Sequence, residues 1–283
     1  MPGKLGIVAG SGELPRVLVE ACQRSGRPHF VIALTGYADP ARIGAAPHAW
    51  YRPGRAGTII QHLRRIGVGD VVFVGGVPRP TIAQWLPDWR TLRFIVSRRI
   101  WRMGDGGVLN AMIDTLERDD GFRVVGPESV EPDLLVASGP VGRMAPDAAA
   151  ERDIALGLAE ALALGRRDLG QGVVVRGGRV IDREDQRGTD ALLTRCRPDV
   201  EGARAGALVK MARPTQDRRV DLPAVGVRTV EGAARAGLAG IAVEAGGALI
   251  VDRKAVAAAA DRAGLFVVGI AKEQAAHRSP AAA

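Results

Sequence analysis

The chain has 283 residues, 47% hydrophobic but only 4% aromatic, so two domains are expected, with cores of Ala, Val, Leu and Ile that suit buried parallel strands better than a sandwich. The formal charge of +8, from 39 Lys+Arg against 31 Asp+Glu and mostly arginine, points to an anionic partner, yet the scarcity of stacking aromatics argues against nucleic acid. Cys22 and Cys196 lie far apart and outside any CxxC pair, so neither a disulfide framework nor a cysteine zinc site is implied, and a reducing compartment fits.

The first apolar run, Leu5 to Ala9, predicts a strand. It is too short for a secretory signal, and no later run reaches the ~18 apolar residues of a membrane helix. Gly10-Ser11-Gly12 follows, then a helix opened by Leu14-Pro15 and running from Arg16 to Arg24. Phe30 to Leu34 predicts a second strand, Thr58 to Ile66 a helix, and Val71 to Val74 a third strand ending in Gly75-Gly76. Such alternation predicts an open parallel sheet.

Pro80 to Leu116 predicts helix rich in arginine, with Trp85, Trp89 and Trp101. The favoured reading is a layer whose tryptophans pack inward while its arginines are solvated, ahead of a lipid-facing surface. Phe122 to Val125 and Leu134 to Ala137 are expected to close this first half. Ala145 to Leu164 predicts a long helix, read as the connector between domains. Beyond it, hairpins are expected around Arg176 to Arg179 and, from Ile241 to Val251, around Gly246-Gly247. Ala207 to Met211 reads as a further strand. A helix from Arg253 to Ala263 and a strand from Phe266 to Ile270 complete the pattern, and a disordered tail is expected after Lys272.

Four segments carry groups suited to phosphate chemistry. The turn Gly10-Ser11-Gly12 could offer backbone amides to a phosphate at a helix start, or merely join strand to helix. Pro15 occupies the third glycine position of a dinucleotide fingerprint, and Ala33 to Gly36 supplies no acid for a ribose, so NAD is disfavoured. Gly75 to Pro80 places Arg79 beyond the end of a strand, where a ligand crevice or a plain surface turn would lie. Gly188-Thr189-Asp190, preceded by Glu184 and Asp185, suits a hard cation; helix capping by Thr189 or Asp190 is the favoured reading. Lys210 to Pro223 mixes Lys210, Gln216, Asp217 and Asp221 with arginines. Phosphoanhydride hydrolysis needs such cations, together with a carboxylate to bind Mg²⁺ or orient water, and a charged surface loop is the other reading of the same residues.

Taken together, KLGIVAGSGELP at Lys4 to Pro15, Gly75 to Pro80, Gly104-Asp105, DLGQGVVV at Asp168 to Val175, the GTD triplet, Lys210 to Pro223 and LFVVG at Leu265 to Gly269 resemble, in order and spacing, the LpxI family of UDP-2,3-diacylglucosamine diphosphatases. The resemblance implies an amino-terminal Rossmann-like domain over residues 1–135. It implies a family-specific α/β domain over residues 136–283, which includes the connector helix at 145–164. The implied activity is Mg²⁺-dependent hydrolysis of UDP-2,3-diacylglucosamine to UMP and 2,3-diacylglucosamine 1-phosphate (lipid X) in lipid A biosynthesis. Asp221, in the Arg219 to Pro223 segment, is carried over as catalytic and metal-associated. Gly10, Ser11, Gly12, Gly75, Arg79, Gln171, Thr189, Asp190, Lys210 and Gln216 are the expected substrate contacts. A cytoplasmic protein transiently on the inner membrane is implied, and a homodimer is left open. Arg187 and Gly106 depart from the acidic residues expected at their positions. Two other readings stand beside this one: a nucleotide-sugar or lipid-phosphate binder without catalysis, and a nicotinamide-dependent oxidoreductase.

Overall fold

Apolar runs bounded by glycine and helices with one buried stripe alternate through both halves of the computed structural model, which describes residues 3–77, 87–103, 105–196, 204–214 and 217–271. The chain divides into two compact units, Met1–Pro132 and Asp133–Ala283.

The first unit comprises β1 (Lys4–Ala9), α1 (Leu14–Ser25), β2 (His29–Leu34), α2 (Pro40–Ile43), β3 (His48–Tyr51), α3 (Ala56–Arg65), β4 (Val68–Val74), α4 (Trp89–Arg98), α5 (Asp105–Arg118) and β5 (Arg123–Val124). All sheet pairings are parallel, in the order β3-β2-β1-β4-β5. That order puts a topological switch point between β1 and β4, as in doubly wound α/β sheets. Leu5, Ile7, Val31, Ile32 and Val72 are wholly buried. Strand β3 was not expected: His48-Ala49-Trp50-Tyr51 alternates in exposure at the sheet edge and offers no continuous apolar run. The strand expected as third is therefore the fourth.

The second unit contains β6 (Gly139–Pro140), α6 (Ala148–Arg166), β7 (Gly172–Arg176), β8 (Arg179–Arg183), α7 (Gly188–Arg195), β9 (Ala207–Lys210), β10 (Ala224–Val225), α8 (Val227–Arg235), β11 (Gly240–Glu244), β12 (Leu249–Ile250), α9 (Arg253–Ala263) and β13 (Phe266–Ile270). Six strands form a mixed sheet in the order β6-β13-β11-β9-β7-β8, and β10 pairs with β12 separately. Successive strand residues point to opposite faces. Val173, Val175 and Val209 join Ile154, Leu158 and Ala161 of α6 on one side. Val174, Leu208 and Ile241 join Leu192, Val230 and Val256 of α7, α8 and α9 on the other. The result is a sheet covered by helices on both faces.

Three expectations change here. The connector helix is α6, and it acts as a packed layer of the second unit: its Ala/Leu stripe needs a core and finds one on β7 and β9. Leu134 to Ala137 closes no sheet of the first unit; Leu135 bridges Leu249 and the Val136 amide donates to Ala248, because a run this short takes its partner from distant chain. Ile241 to Val251 is no hairpin, since β11 lies parallel between β9 and β13 while β12 turns away to β10. The hairpin around Gly177-Gly178 does form, between β7 and β8. Among the described residues no helix is long and apolar enough to cross a membrane. The tail after Lys272 lies outside the described residues.

Candidate active site

Sheet register gathers one edge of the second unit. Gly172 at the start of β7 stands opposite Lys210 at the end of β9, Val173 opposite Arg183 at the end of β8, and Val243 opposite Lys210. The ends of β8, β9 and β11 and the segment leading into β7 therefore share one rim, the kind of strand-end crevice where open α/β sheets hold ligands.

Lys210 reaches this rim as a buried side chain, 4% exposed. Its ammonium donates to the Thr189 hydroxyl at 2.7 Å and to the Ala224 carbonyl at 3.4 Å. Thr189 in turn donates to Glu184 at 3.1 Å, and Glu184 is itself buried. Thr189 therefore links a buried acid to a buried cation and does not cap α7, contrary to the favoured sequence reading. The α7 start has no side-chain cap. The motif glycines explain how Glu184 fits: a Cβ on Gly172 would meet its Oε2 at 2.4 Å, and one on Gly170 its carbonyl at 2.6 Å.

Arg213, in the segment after β9, donates to Asp168 at 2.8 Å and to Asp221 at 2.9 Å. Burial pushes the Asp221 carboxyl above its ordinary pKa; the Arg213 charge and hydrogen bond and the Lys210 charge pull the other way, and Asp168 adds to the rise. The Met211 amide donates to the Gln171 carbonyl, which sets Gln171 beside the same rim. Gln171 Oε1 and Arg213 Nε are buried without a hydrogen-bond partner among the described residues. Glu244, buried at the end of β11, accepts from the Ala212 amide and from Arg218, and so anchors the segment that carries Arg213 and Asp221.

Lys210, Thr189, Gln171 and Asp221 are thus found on one rim of one unit. Asp190 points elsewhere, to exposed Arg228 on α8, because its position on α7 faces away from Glu184. Arg187 turns back onto Asp185 and holds that carboxyl down at about 2, so the departure before the GTD triplet places no charge against Lys210. In the first unit, the Gly10 and Ser11 amides donate to Val74 and Gly76, and the Ser11 hydroxyl also donates to Gly76. Two of the three turn amides expected to face a phosphate are therefore occupied by the end of β4. The approach is tight enough that a Cβ on Gly75 would meet the Ser11 carbonyl at 2.4 Å. Arg79 and Gln216 lie outside the described residues.

Arg213, Asp168 and Glu244 were not singled out from the sequence. A signal that could have pointed to them is the alternation Gly170-Gln171-Gly172, whose glycines leave room for the close approach of Glu184.

Family models for the LpxI N-terminal domain and the LpxI C-terminal domain match residues 4–134 and 137–268. The chain belongs to the LpxI family. A curated LpxI relative, the UDP-2,3-diacylglucosamine pyrophosphatase LpxI of Caulobacter vibrioides, is 42% identical over 274 residues, covering 94% of this chain and 97% of the relative. The two LpxI domain matches meet within a few residues of the division between the compact units.

The donor set bears on the Mg²⁺ expected of an LpxI protein. Among the described residues no three His, Cys, Asp or Glu side chains converge as an all-protein cage. Mg²⁺ is commonly held by one or two carboxylates together with phosphate oxygens and water, and Asp221 with Asp168, joined through one guanidinium, fits that mode.

Proposed function

We propose that the chain hydrolyses UDP-2,3-diacylglucosamine, with water cleaving the diphosphate to UMP and 2,3-diacylglucosamine 1-phosphate (lipid X), and that Mg²⁺ is required. The observation that carries this reading is the buried Lys210 ammonium on one rim with Asp221 and its partner Arg213, reinforced by the activity named for the relative.

A diphosphate brings negative charge that Lys210 and Arg213 oppose, in a site where burial strengthens each contact. Thr189, held by Glu184, fixes the direction of the Lys210 ammonium. Gln171 offers its unpartnered amide oxygen to a sugar or uridine donor. Asp221, with its pKa raised by burial, is a better proton acceptor than a solvated aspartate and suits the orientation of the attacking water. Mg²⁺, held by Asp221 and the phosphate oxygens, would add charge neutralisation. Gly12, Gly75, Arg79 and Gln216 remain contacts of this reading by motif position. Because the substrate is diacylated, the protein is assigned to the cytoplasm and transiently to the inner-membrane surface.

The test is UMP release from UDP-2,3-diacylglucosamine with and without Mg²⁺, for wild type beside Asp221→Ala. Metal-dependent release that falls about a thousandfold in the variant is expected, the scale of losing a group that acts in the transition state. Binding without release by the wild type would assign the chain to a carrier of the nucleotide sugar.

A further inference from the structure

Helix α4 is attached to its unit by its polar side. Asp88 caps it by accepting from the Thr91 amide at 2.9 Å, and also accepts from the Thr58 amide of α3 at 3.0 Å. Arg90 donates to Asp120, whose side chain is completely buried and which also holds Arg64. Thr91 is buried and accepts from the Ala56 amide. What a soluble helix usually turns inward is here turned outward: Trp89 is 78% exposed, Val96 57%, and Leu92 is also exposed, at the i, i+3, i+7 spacing of one face. Arg99 ends the helix at φ 51°, and the 3-10 turn Ile100–Arg102 then presents Trp101, 65% exposed, with Met103 beside it. The tryptophans expected to pack inward, where described, do the opposite; Trp85 lies outside the described residues.

Arg93, Arg98, Arg99 and Arg102 are exposed around this apolar face, and Trp89 to Met103 contains no acidic residue. Among the described residues the other exposed apolar side chains, such as Met144, Leu169 and Ile181, are scattered singly, which is ordinary. Tryptophan at an interface flanked by arginine matches the acyl and headgroup boundary of an anionic bilayer: the rings enter the boundary while the guanidinium groups meet lipid phosphates.

We infer that the outer face of α4 and the turn after it, carrying Trp89, Leu92, Val96 and Trp101 among four arginines, is the surface by which the protein docks on anionic lipid. This rests on the proposed function in one respect only, that a diacylated substrate is met at a bilayer.

The experiment is co-sedimentation of the full chain with vesicles of phosphatidylethanolamine and phosphatidylglycerol, with phosphatidylcholine vesicles as control. The double variant Trp89→Ser/Trp101→Ser is compared with Arg93→Gln/Arg102→Gln, and UMP release from detergent-dispersed substrate is followed alongside. Wild type is expected to bind the anionic vesicles and not the control. The tryptophan variant should lose about tenfold or more in partition, and the arginine variant should bind more weakly with a shallower salt dependence. UMP release from dispersed substrate should be unchanged. Failure of wild type to bind, or equal binding by the variants, overturns the assignment even if hydrolysis stands. A change from dimer to monomer in the tryptophan variant, measured by light scattering, also overturns it and gives the face to a second copy of the chain. Absence of hydrolysis would overturn the proposed function and leave the vesicle result readable.

Discussion

Arg213 donates to Asp221 at 2.9 Å while its other terminal nitrogen holds Asp168 at 2.8 Å, so one guanidinium sets the position and charge of two carboxylates at the rim of the second sheet. Burial raises the Asp221 pKa, and Arg213 is the main influence opposing that rise. Asp221 has to be ionised to accept a proton or hold a cation, so activity should fall on the acid side at a pH above the range of a solvated aspartate.

Replacing Arg213 with Met should move that acid limb to still higher pH and lower kcat/KM by about tenfold or more, with partial recovery in Arg213→Lys. A pH profile of kcat/KM for the three proteins is the check. An unmoved limb would show that Arg213 does not govern Asp221 ionisation.

Asp221→Asn should abolish UMP release without weakening the fold. The folded pKa is raised, so the contribution of Asp221 to stability is fully present below its unfolded pKa and is lost as pH rises through the folded value. The neutral variant is therefore expected to melt above wild type near neutral pH, with the difference closing as the solution is acidified. Thermal melts across that window read the sign directly.

Thr189→Val removes the hydroxyl that joins buried Lys210 to buried Glu184. Among the described residues it leaves the ammonium with only the long contact to Ala224 as a hydrogen bond, and Glu184 without this donor. The expected cost is about 1–3 kcal/mol, seen as a lower urea midpoint, together with a raised KM. A variant as stable as wild type would mean that the link contributes nothing to holding Lys210.

Gly157 of α6 lies against β9, where an added Cβ would sit 2.4 Å from a Val209 methyl. Gly157→Ala should therefore destabilise by about 1–3 kcal/mol through overpacking, even though alanine is the better helix former. Urea unfolding decides between the two effects.

Local patterning carried most of the first unit. Apolar runs at Leu5 and Phe30 gave strands, and the face of Ile59, Ile60 and Leu63 gave a helix, because each element buries a stripe that its own spacing reveals. Strand β3 escaped because its alternating edge residues resemble a loop. In the second unit the elements were legible but their partners were not: β11 and β12 look like a hairpin until β9 and β13 claim β11. Of the site, Lys210, Thr189, Gln171 and Asp221 were named from motif position, whereas Asp190 was not separable from Thr189. One residue along α7 decides between facing Glu184 and facing Arg228.

By itself the sequence determined the α/β class and the family, since these depend on periodicity and on motifs that are local in the chain; it named the carboxylate at position 221 by motif position alone. Tertiary structure decided that Arg213 joins Asp168 to Asp221, that Glu184 stands behind Lys210 through Thr189, and that Trp89 and Trp101 face outward. Those outcomes depend on register between strands distant in sequence and on which side of a helix finds partners, and neither is encoded in the spacing of the residues that take part.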